Sequence, residues 1–466
     1  MELLSALRAA LGDKAVLTEA ADRAGFETDW RRLFSNPALC VLLPESTEQV
    51  AASVRLCAAA GVGIVPQGGN TGLVAGAVPV AGEKRQVVLS LRRMRQVLQL
   101  DPVSDTILVQ AGATLQEVQE AAIAAGRLFP VSLAAEGTAQ IGGAISTNAG
   151  GLQVLSYGSM RAQVLGLEVV LPDGRIWDGL RALRKDNTGF DLKQLFIGAE
   201  GMLGIVTSAC LKLAPAVTDH ATALVGLASP GAAMALFQAL RAQSGAALTL
   251  CEFLARPAME LGAAHAQGGR LPFQAEAYML VELSAHTASE NNLARLEEVL
   301  AAALEAGIAQ EAVIAQSERE RADLRALREA VSDGELAEGG AVKHDIAVPL
   351  ALIPETVAAI EALVGTKYPD CRLNIFGHIG DGNLHVNVRP PAGRTLADLS
   401  DRKAAITADI EGLAVAKGGS FSAEHGIGQM RIAGMHAHKA AIELELMRRL
   451  KEAFDPQGVL NPGKMF

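Results

Sequence analysis

The chain has 466 residues, half of them hydrophobic, 4% aromatic and 47 of them glycine; this exceeds one ordinary core and calls for two or three domains of tightly packed α/β character. The net charge is −10, from 51 acidic and 41 basic residues with no basic block, which argues against a nucleic-acid partner. No apolar run reaches the roughly 18 residues of a membrane span, and five scattered cysteines (Cys40, Cys57, Cys210, Cys251, Cys371) form no CxxC pair, which argues against an iron–sulfur cluster and for buried thiols in a reducing cytoplasm.

Along the chain, MELLSALRAALGDKAVL places apolar residues at positions 3, 4, 7 and 11, an amphipathic helix rather than a signal peptide. Ser46 and Gln49 offer a capping box for a helix that runs to Ala60 and stops at Gly61. VGIVP then reads as a strand, followed by the loop QGGNTGLVAGAVP, residues 67–79. Two more glycine-rich stretches follow, EGTAQIGGAISTNAGG at 136–151 and GAEGMLGIVT at 198–207. Glycine lets backbone N–H groups approach an anion closely. Three such loops in one region point to a large phosphate-bearing cofactor, although none reads GxGxxG or GxxxxGK[ST].

From about Val217 to Gly434 the glycines thin out. ATALVGL, TLCEFL, AYMLVEL, VKHDIAVP, LNIFGHI and LHVNVRP read as strands between longer helices such as ENNLARLEEVLAAALEAG. This is an α+β pattern, with one sheet and helices expected on one side. A last helix, about His438 to Ala453, leads into FDPQGVLNPGKMF.

The three loops in this order, with the C-terminal FDPQGVLNPGK, resemble the flavoprotein family of vanillyl-alcohol oxidase (PCMH) fold. Within it the chain is similar to the FAD-linked D-2-hydroxyacid dehydrogenases, over nearly its whole length. The resemblance implies an FAD-binding domain at 1–215, an α+β cap domain with a mainly antiparallel sheet at 216–436, and a C-terminal helix and tail at 437–466 returning to the FAD domain. It implies FAD contacts from Pro66, Gly68, Gly69, Asn70, Thr71, Gly72 and Leu73 in the first loop. Gly137, Thr138, Gly142, Gly143, Ser146, Asn148, Gly150 and Gly151 would follow in the second, Gly201, Gly204 and Ile205 in the third, and Asn461 near the end. Some relatives attach FAD through a histidine ending GGH; this chain has Asn70 there, so FAD is expected to be non-covalent.

FGHIGDGNLHVNV holds His378 and His385 symmetrically about Asp381-Gly382. Asp-Gly is a type I′ hairpin signal, and a two-residue turn would set His378 opposite His385, with Cβ atoms about 4.5–5.5 Å apart. Such a pair suits a shared metal ion or a stacked structural contact. FSAEHGIGQMR adds Glu424 and His425. Two histidines and a carboxylate make a His₂Glu set with an open position, as in catalytic zinc sites. The resemblance implies that His378, His385 and Glu424 are the metal ligands (zinc first, manganese or iron with the same donors) and that His425 is the catalytic base, taking the hydroxyl proton as hydride passes to flavin N5.

RALREAVSDG sets Arg328 and Ser332 four apart on one helix face, and Lys343 lies in an otherwise apolar strand. Read alone, these are a surface arginine and a snorkelling lysine. The resemblance assigns Arg328, Ser332, Lys343, Asn387 and His425 to the substrate. A buried cation without an anion is costly, so two cations besides a metal favour a substrate with two carboxylates: D-2-hydroxyglutarate, with D-malate as a shorter fit. The rival readings are a D-lactate or glycolate dehydrogenase, a zinc hydrolase, and a flavoprotein that only carries electrons. No nicotinamide motif is present, so electron-transfer flavoprotein or a quinone is the expected acceptor, and a homodimer the expected assembly.

Overall fold

The computed structural model describes residues 2–82, 84–287 and 291–466. They form two compact units. The first holds residues up to Gly151, Tyr157–Ala216 and Glu424–Phe466; the second holds Leu152–Ser156 and Val217–Ala423. One division thus falls at Ala216/Val217. The next falls before Glu424 rather than after residue 436, because the stretch after it straps onto the first unit's loops. Val74 O accepts Gln429 N at 2.9 Å, and Gln429 Nε2 donates to Ala75 O at 2.8 Å.

In the first unit, helix α1 (Glu2–Leu11) buries Leu7 and Leu11. Helix α2 (Thr47–Ala59) starts where Ser46 Oγ accepts Gln49 N at 3.3 Å and Gln49 Oε1 accepts Glu45 N at 2.8 Å, so the reciprocal bond goes one residue before the cap. Strands β1 (Val16–Leu17), β2 (Val41–Leu42), β3 (Gly63–Gln67) and β4 (Gln86–Ser90) form a sheet ordered β1-β2-β4-β3, parallel between β2, β4 and β3. Strands β5 (Val97–Asp101), β6 (Thr106–Gln110), β7 (Val164–Val170), β8 (Ile176–Gly179) and β9 (Ile205–Lys212) form an antiparallel sheet ordered β5-β6-β9-β7-β8. Helix α3 (Ile141–Thr147) carries the second glycine-rich stretch. The C-terminal helix spans Ala441–Phe454, and the tail after it adds to β3, with Ile64 N donating to Val459 O and Asn461 N to Ile64 O, both at 2.7 Å.

In the second unit, strands β10 (Asp219–Leu227), β11 (Leu248–Ala255), β12 (Ala277–Ala285), β13 (Glu311–Ile314), β14 (Val342–Ala347), β15 (Arg372–His378) and β16 (Asn383–Arg389) make one sheet ordered β13-β10-β12-β11-β15-β16-β14, antiparallel throughout. Helices pack on both faces, not one. Helices α4 (Pro230–Ser244), α6 (Asn292–Glu305), α8 (Ile353–Lys367) and α9 (Lys403–Ala416) share a core with Ala223, Val225 and Val386. Helices α5 (Arg256–His265) and α7 (Glu318–Ala337) share a core with Leu224, Leu254 and Phe376 on the other face. The reason lies in the strands: every residue of β12 is buried, and a strand buried on both sides needs cover on both. The helices α5 and α7 meet at glycines. A Cβ on Gly262 would stand 2.0 Å from Leu327 O, and one on Gly334 would meet the His265 ring at 2.8 Å.

Candidate active site

The three glycine-rich loops of the first unit line a cleft. Its lining includes Pro66, Gly68, Gly69, Asn70, Thr71, Gly72, Gly142, Gly143, Ser146, Gly201, Gly204 and Ile205, and also His425. The glycines serve two ends. At Gly69 a Cβ would stand 1.8 Å from Thr138 O, so only glycine lets the first loop lie on the second. At Gly72 and Gly143 a Cβ would meet nothing within 4 Å; there the missing side chain leaves room on the cleft side. Gln140 Oε1 is a buried acceptor with no hydrogen-bond partner among the described residues, and Gln140 lines the same cleft. Open glycines and an orphaned acceptor fit a flat, polar-edged cofactor.

Leu73, Gly137, Thr138, Asn148, Gly150, Gly151 and Asn461 fall outside that lining. Several shape it instead. Asn148 is left-handed (φ 51°) at the end of α3, and its Oδ1 accepts Ser159 Oγ and Arg161 N at 2.9 Å. A Cβ on Gly151 would stand 2.1 Å from Ser132 O. Asn461 Nδ2 ties Gly76 O (3.2 Å) to Glu200 O (2.7 Å).

Glu200 escaped the sequence reading although it sits within GAEGMLGIVT. Its carboxylate accepts Ile427 N at 2.7 Å and Gly428 N at 2.8 Å. Burial raises its pKa against those two bonds. This contact explains the glycines of EHGIG: Gly426 (φ 78°) has no room for a Cβ beside Glu200 Oε1 (2.7 Å), and Gly428 (φ 51°) none beside Val74 O (2.1 Å). The segment carrying His425 is thereby fixed to the loops of the glycine-lined cleft.

In the second unit polar side chains are set into the face of the sheet that α7 covers, and strand register arranges them in rows. Asn374, Asn387 and Lys343 pair across β15, β16 and β14; two residues on, Phe376, His385 and Asp345 pair in the same way; His378 pairs with Glu252 of β11. Side chains at i and i+2 share a face, so all these groups project to one side. The hairpin differs from the expected one. Phe376, not His378, faces His385, and residues 379–382 form the connection, with Asp381 N donating to His378 O at 3.2 Å. Gly382 has positive φ but Asp381 does not, so the turn is not type I′. The shift is by two residues, which preserves the face. The two histidines lie diagonally, ring centroids 5.7 Å apart and 76° between planes.

Helix α7 sets ionic groups on these rows. Arg328 Nε donates to Glu252 Oε2 at 2.6 Å and its guanidinium lies 5.1 Å from the centre of the Phe376 ring. Glu252 Oε1 also accepts from His378 Nδ1. Burial alone would raise the Glu252 carboxyl, but His378 and Arg328 outweigh it and hold it well below the usual carboxylate range. Glu335, fully buried, accepts Lys343 Nζ at 2.9 Å, Asn387 Nδ2 at 2.9 Å and Asn374 Nδ2 at 3.0 Å. Ser332 is exposed. The cations named from sequence are therefore not awaiting anions; each has a carboxylate of the chain itself, and the two-cation argument for a dicarboxylate loses its premise. Glu252 and Glu335 gave no signal in the sequence beyond helix or strand positions. Glu424 and His425 directly follow Ala423, whose N–H donates to Asp345 O at 3.0 Å beside the histidine rows.

Residues 38–179 match the FAD binding domain, and residues 217–465 match the C-terminal domain of FAD linked oxidases. The chain is 39% identical over 452 residues to the D-2-hydroxyglutarate dehydrogenase of Xanthomonas citri pv. viticola, covering 96% of this chain and 93% of that one. The chain belongs to the FAD-linked D-2-hydroxyacid dehydrogenases. The mitochondrial D-2-hydroxyglutarate dehydrogenase of Bos taurus is 36% identical, covering 97% of this dehydrogenase and 81% of the bovine chain. A crystal structure of p-cresol methylhydroxylase with substrate bound superposes with a TM-score of 0.78 at 16% identity, over 99% and 96% of the two chains; that likeness speaks for the PCMH-type fold alone. No helix among the described residues is long and apolar enough to cross a membrane.

Proposed function

We propose that this dehydrogenase oxidises D-2-hydroxyglutarate to 2-oxoglutarate, with D-malate as a shorter substrate. The observation that carries this is the full-length similarity to D-2-hydroxyglutarate dehydrogenases, 39% identical in the Xanthomonas case. His378, His385 and Glu424 would hold a divalent ion, zinc first, with manganese or iron served by the same donors. Glu252 on His378 Nδ1 leaves Nε2 as the ligand atom, the carboxylate-backed arrangement common to metal-binding histidines. A metal bound there would supply positive charge that lowers the pKa of the substrate's α-hydroxyl. FAD would supply the acceptor for the hydride leaving C2. His425, on the flavin cleft, takes the hydroxyl proton. Arg328, Ser332, Lys343 and Asn387 would contact the substrate's carboxylates, with Arg328 and Lys343 still paired to Glu252 and Glu335.

Asn70 donates through Nδ2 to Thr28 O at 2.8 Å and offers no nucleophile to the flavin, so FAD would leave on denaturation. Electron-transfer flavoprotein or a quinone would reoxidise the flavin, in a cytoplasmic and dimeric enzyme. The paired state of Arg328 and Lys343 favours one second reading, a dehydrogenase of monocarboxylic D-2-hydroxyacids with the same apparatus.

The test is anaerobic mixing of the purified protein with D-2-hydroxyglutarate, D-malate, D-lactate or glycolate while flavin absorbance is followed. The diacid should bleach the flavin, and a chelator should stop bleaching without altering the oxidised spectrum. If none of the acids bleaches it, or if metal-free protein turns over fully, the reading fails.

A further inference from the structure

Glu335 stands where the proposed substrate site should offer a cation. It is fully buried on α7, and its carboxylate is the shared acceptor for Lys343, Asn387 and Asn374. This row lies two residues along β14 and β16 from the row of His385, roughly 6.6 Å away at the strand repeat. A substrate whose hydroxyl sits at the histidines would point its tail at this row. The tail would meet an ion pair and two amides, not a bare lysine. An anionic tail is drawn to Lys343 and repelled by Glu335 at nearly the same range, so the two terms largely cancel. Arg328, over Phe376 of the histidine row, is likewise paired, with Glu252; the cations beyond Lys343, Arg372 and Arg389 around Glu338, face each other one row further on. That is roughly 13 Å from the histidine row, beyond a five-carbon acid.

We propose that Glu335 is a specificity-determining residue: it cancels the charge selection of Lys343, so that D-2-hydroxy acids with uncharged side chains are oxidised alongside the diacid. This rests on the D-2-hydroxyacid reading above and sharpens its substrate class. The pair also explains why a lysine is tolerated in a largely buried strand: its counter-ion is built in.

The experiment compares two acids of equal length, D-2-hydroxyglutarate and D-2-hydroxypentanoate, on the FAD- and metal-loaded enzyme. Wild type should show kcat/KM values within tenfold of each other. Glu335→Gln keeps the shape but removes the counter-ion of Lys343, and should shift the ratio at least tenfold toward the diacid, through KM. Adding Lys343→Met should abolish that shift, which a merely structural effect of residue 335 would not do. A wild-type preference for the diacid above tenfold, or an unchanged ratio in Glu335→Gln, overturns the proposal. If Glu335→Gln fails to retain flavin, the wild-type ratio decides alone. Failure of both acids to reduce the flavin would instead overturn the reading that the chain oxidises such acids.

Discussion

Glu252→Gln is the substitution with the sharpest consequence. Glu252 is 1% exposed and accepts two charge-assisted bonds, from His378 Nδ1 and from Arg328 Nε at 2.6 Å. Glutamine keeps the shape, and its Oε1 can still serve Arg328. Its amide nitrogen then faces His378 Nδ1 as a donor, and Nδ1 must accept. That moves the imidazole proton to Nε2, the atom a metal needs. A charge-assisted bond contributes about 1.5–3 kcal/mol and a neutral one about 0.5–1.5; the Arg328 bond keeps its ionised donor, so the one downgraded bond, to His378, costs about 1–1.5 kcal/mol. For a unit of this size, at 2–4 °C per kcal/mol, Tm should fall by about 2–6 °C. Metal affinity should fall by about 10–100-fold, as for other losses of a histidine's backing carboxylate. The assay is thermal unfolding followed by near-UV circular dichroism, beside metal content by mass spectrometry and a competitive chelator titration. A variant with wild-type metal affinity would refute the tautomer argument, and an unchanged Tm would refute the strength assigned to the His378 bond.

Three further outcomes are expected. His425→Ala should slow flavin reduction by about 10²–10⁴-fold, typical of general-base loss, with FAD and metal retained; stopped-flow bleaching and metal analysis measure both. Gly69→Ala forces a Cβ to within 1.8 Å of Thr138 O, so the first loop must lift from the second; fluorescence titration of the apoprotein should show FAD affinity reduced at least tenfold, about 1.4 kcal/mol. Lys464 is fully buried, and burial draws its ammonium from 10.5 down to about 7 despite the nearby Glu200. Between those values the unfolded chain holds a proton that the folded chain lacks, so the burial penalty is full below pH 7 and is relieved as pH rises toward 10.5. The stability gap between Lys464→Met and wild type, read from denaturant unfolding, should narrow by about 2–5 kcal/mol from pH 7 to 10; a gap independent of pH would show that Lys464 titrates normally.

Sequence alone carried the groups whose chemistry is local. Glycine-rich loops announce close backbone approach wherever they fold, because the missing Cβ is itself the signal; hence a cleft lined by Gly68–Gly72 and Gly142–Gly143 was legible. The alternation of β15 and β16 likewise set His378 and His385 on one face, and that survived a register two residues away from the expected one, since a slip of two residues does not turn a strand over. Partners distant in sequence were not legible. Arg328 meets Glu252 across 76 residues, Glu200 meets Gly428 across 228, and Lys343 meets a glutamate whose helix gives no hint of facing it. A buried cation read in isolation demands an anion, and the sequence offered only the substrate to supply it. The fold supplies Glu252 and Glu335 instead, because α7 lies over the polar rows of the sheet. Charge balance is a sum over neighbours in space, and only the tertiary structure decides who those neighbours are.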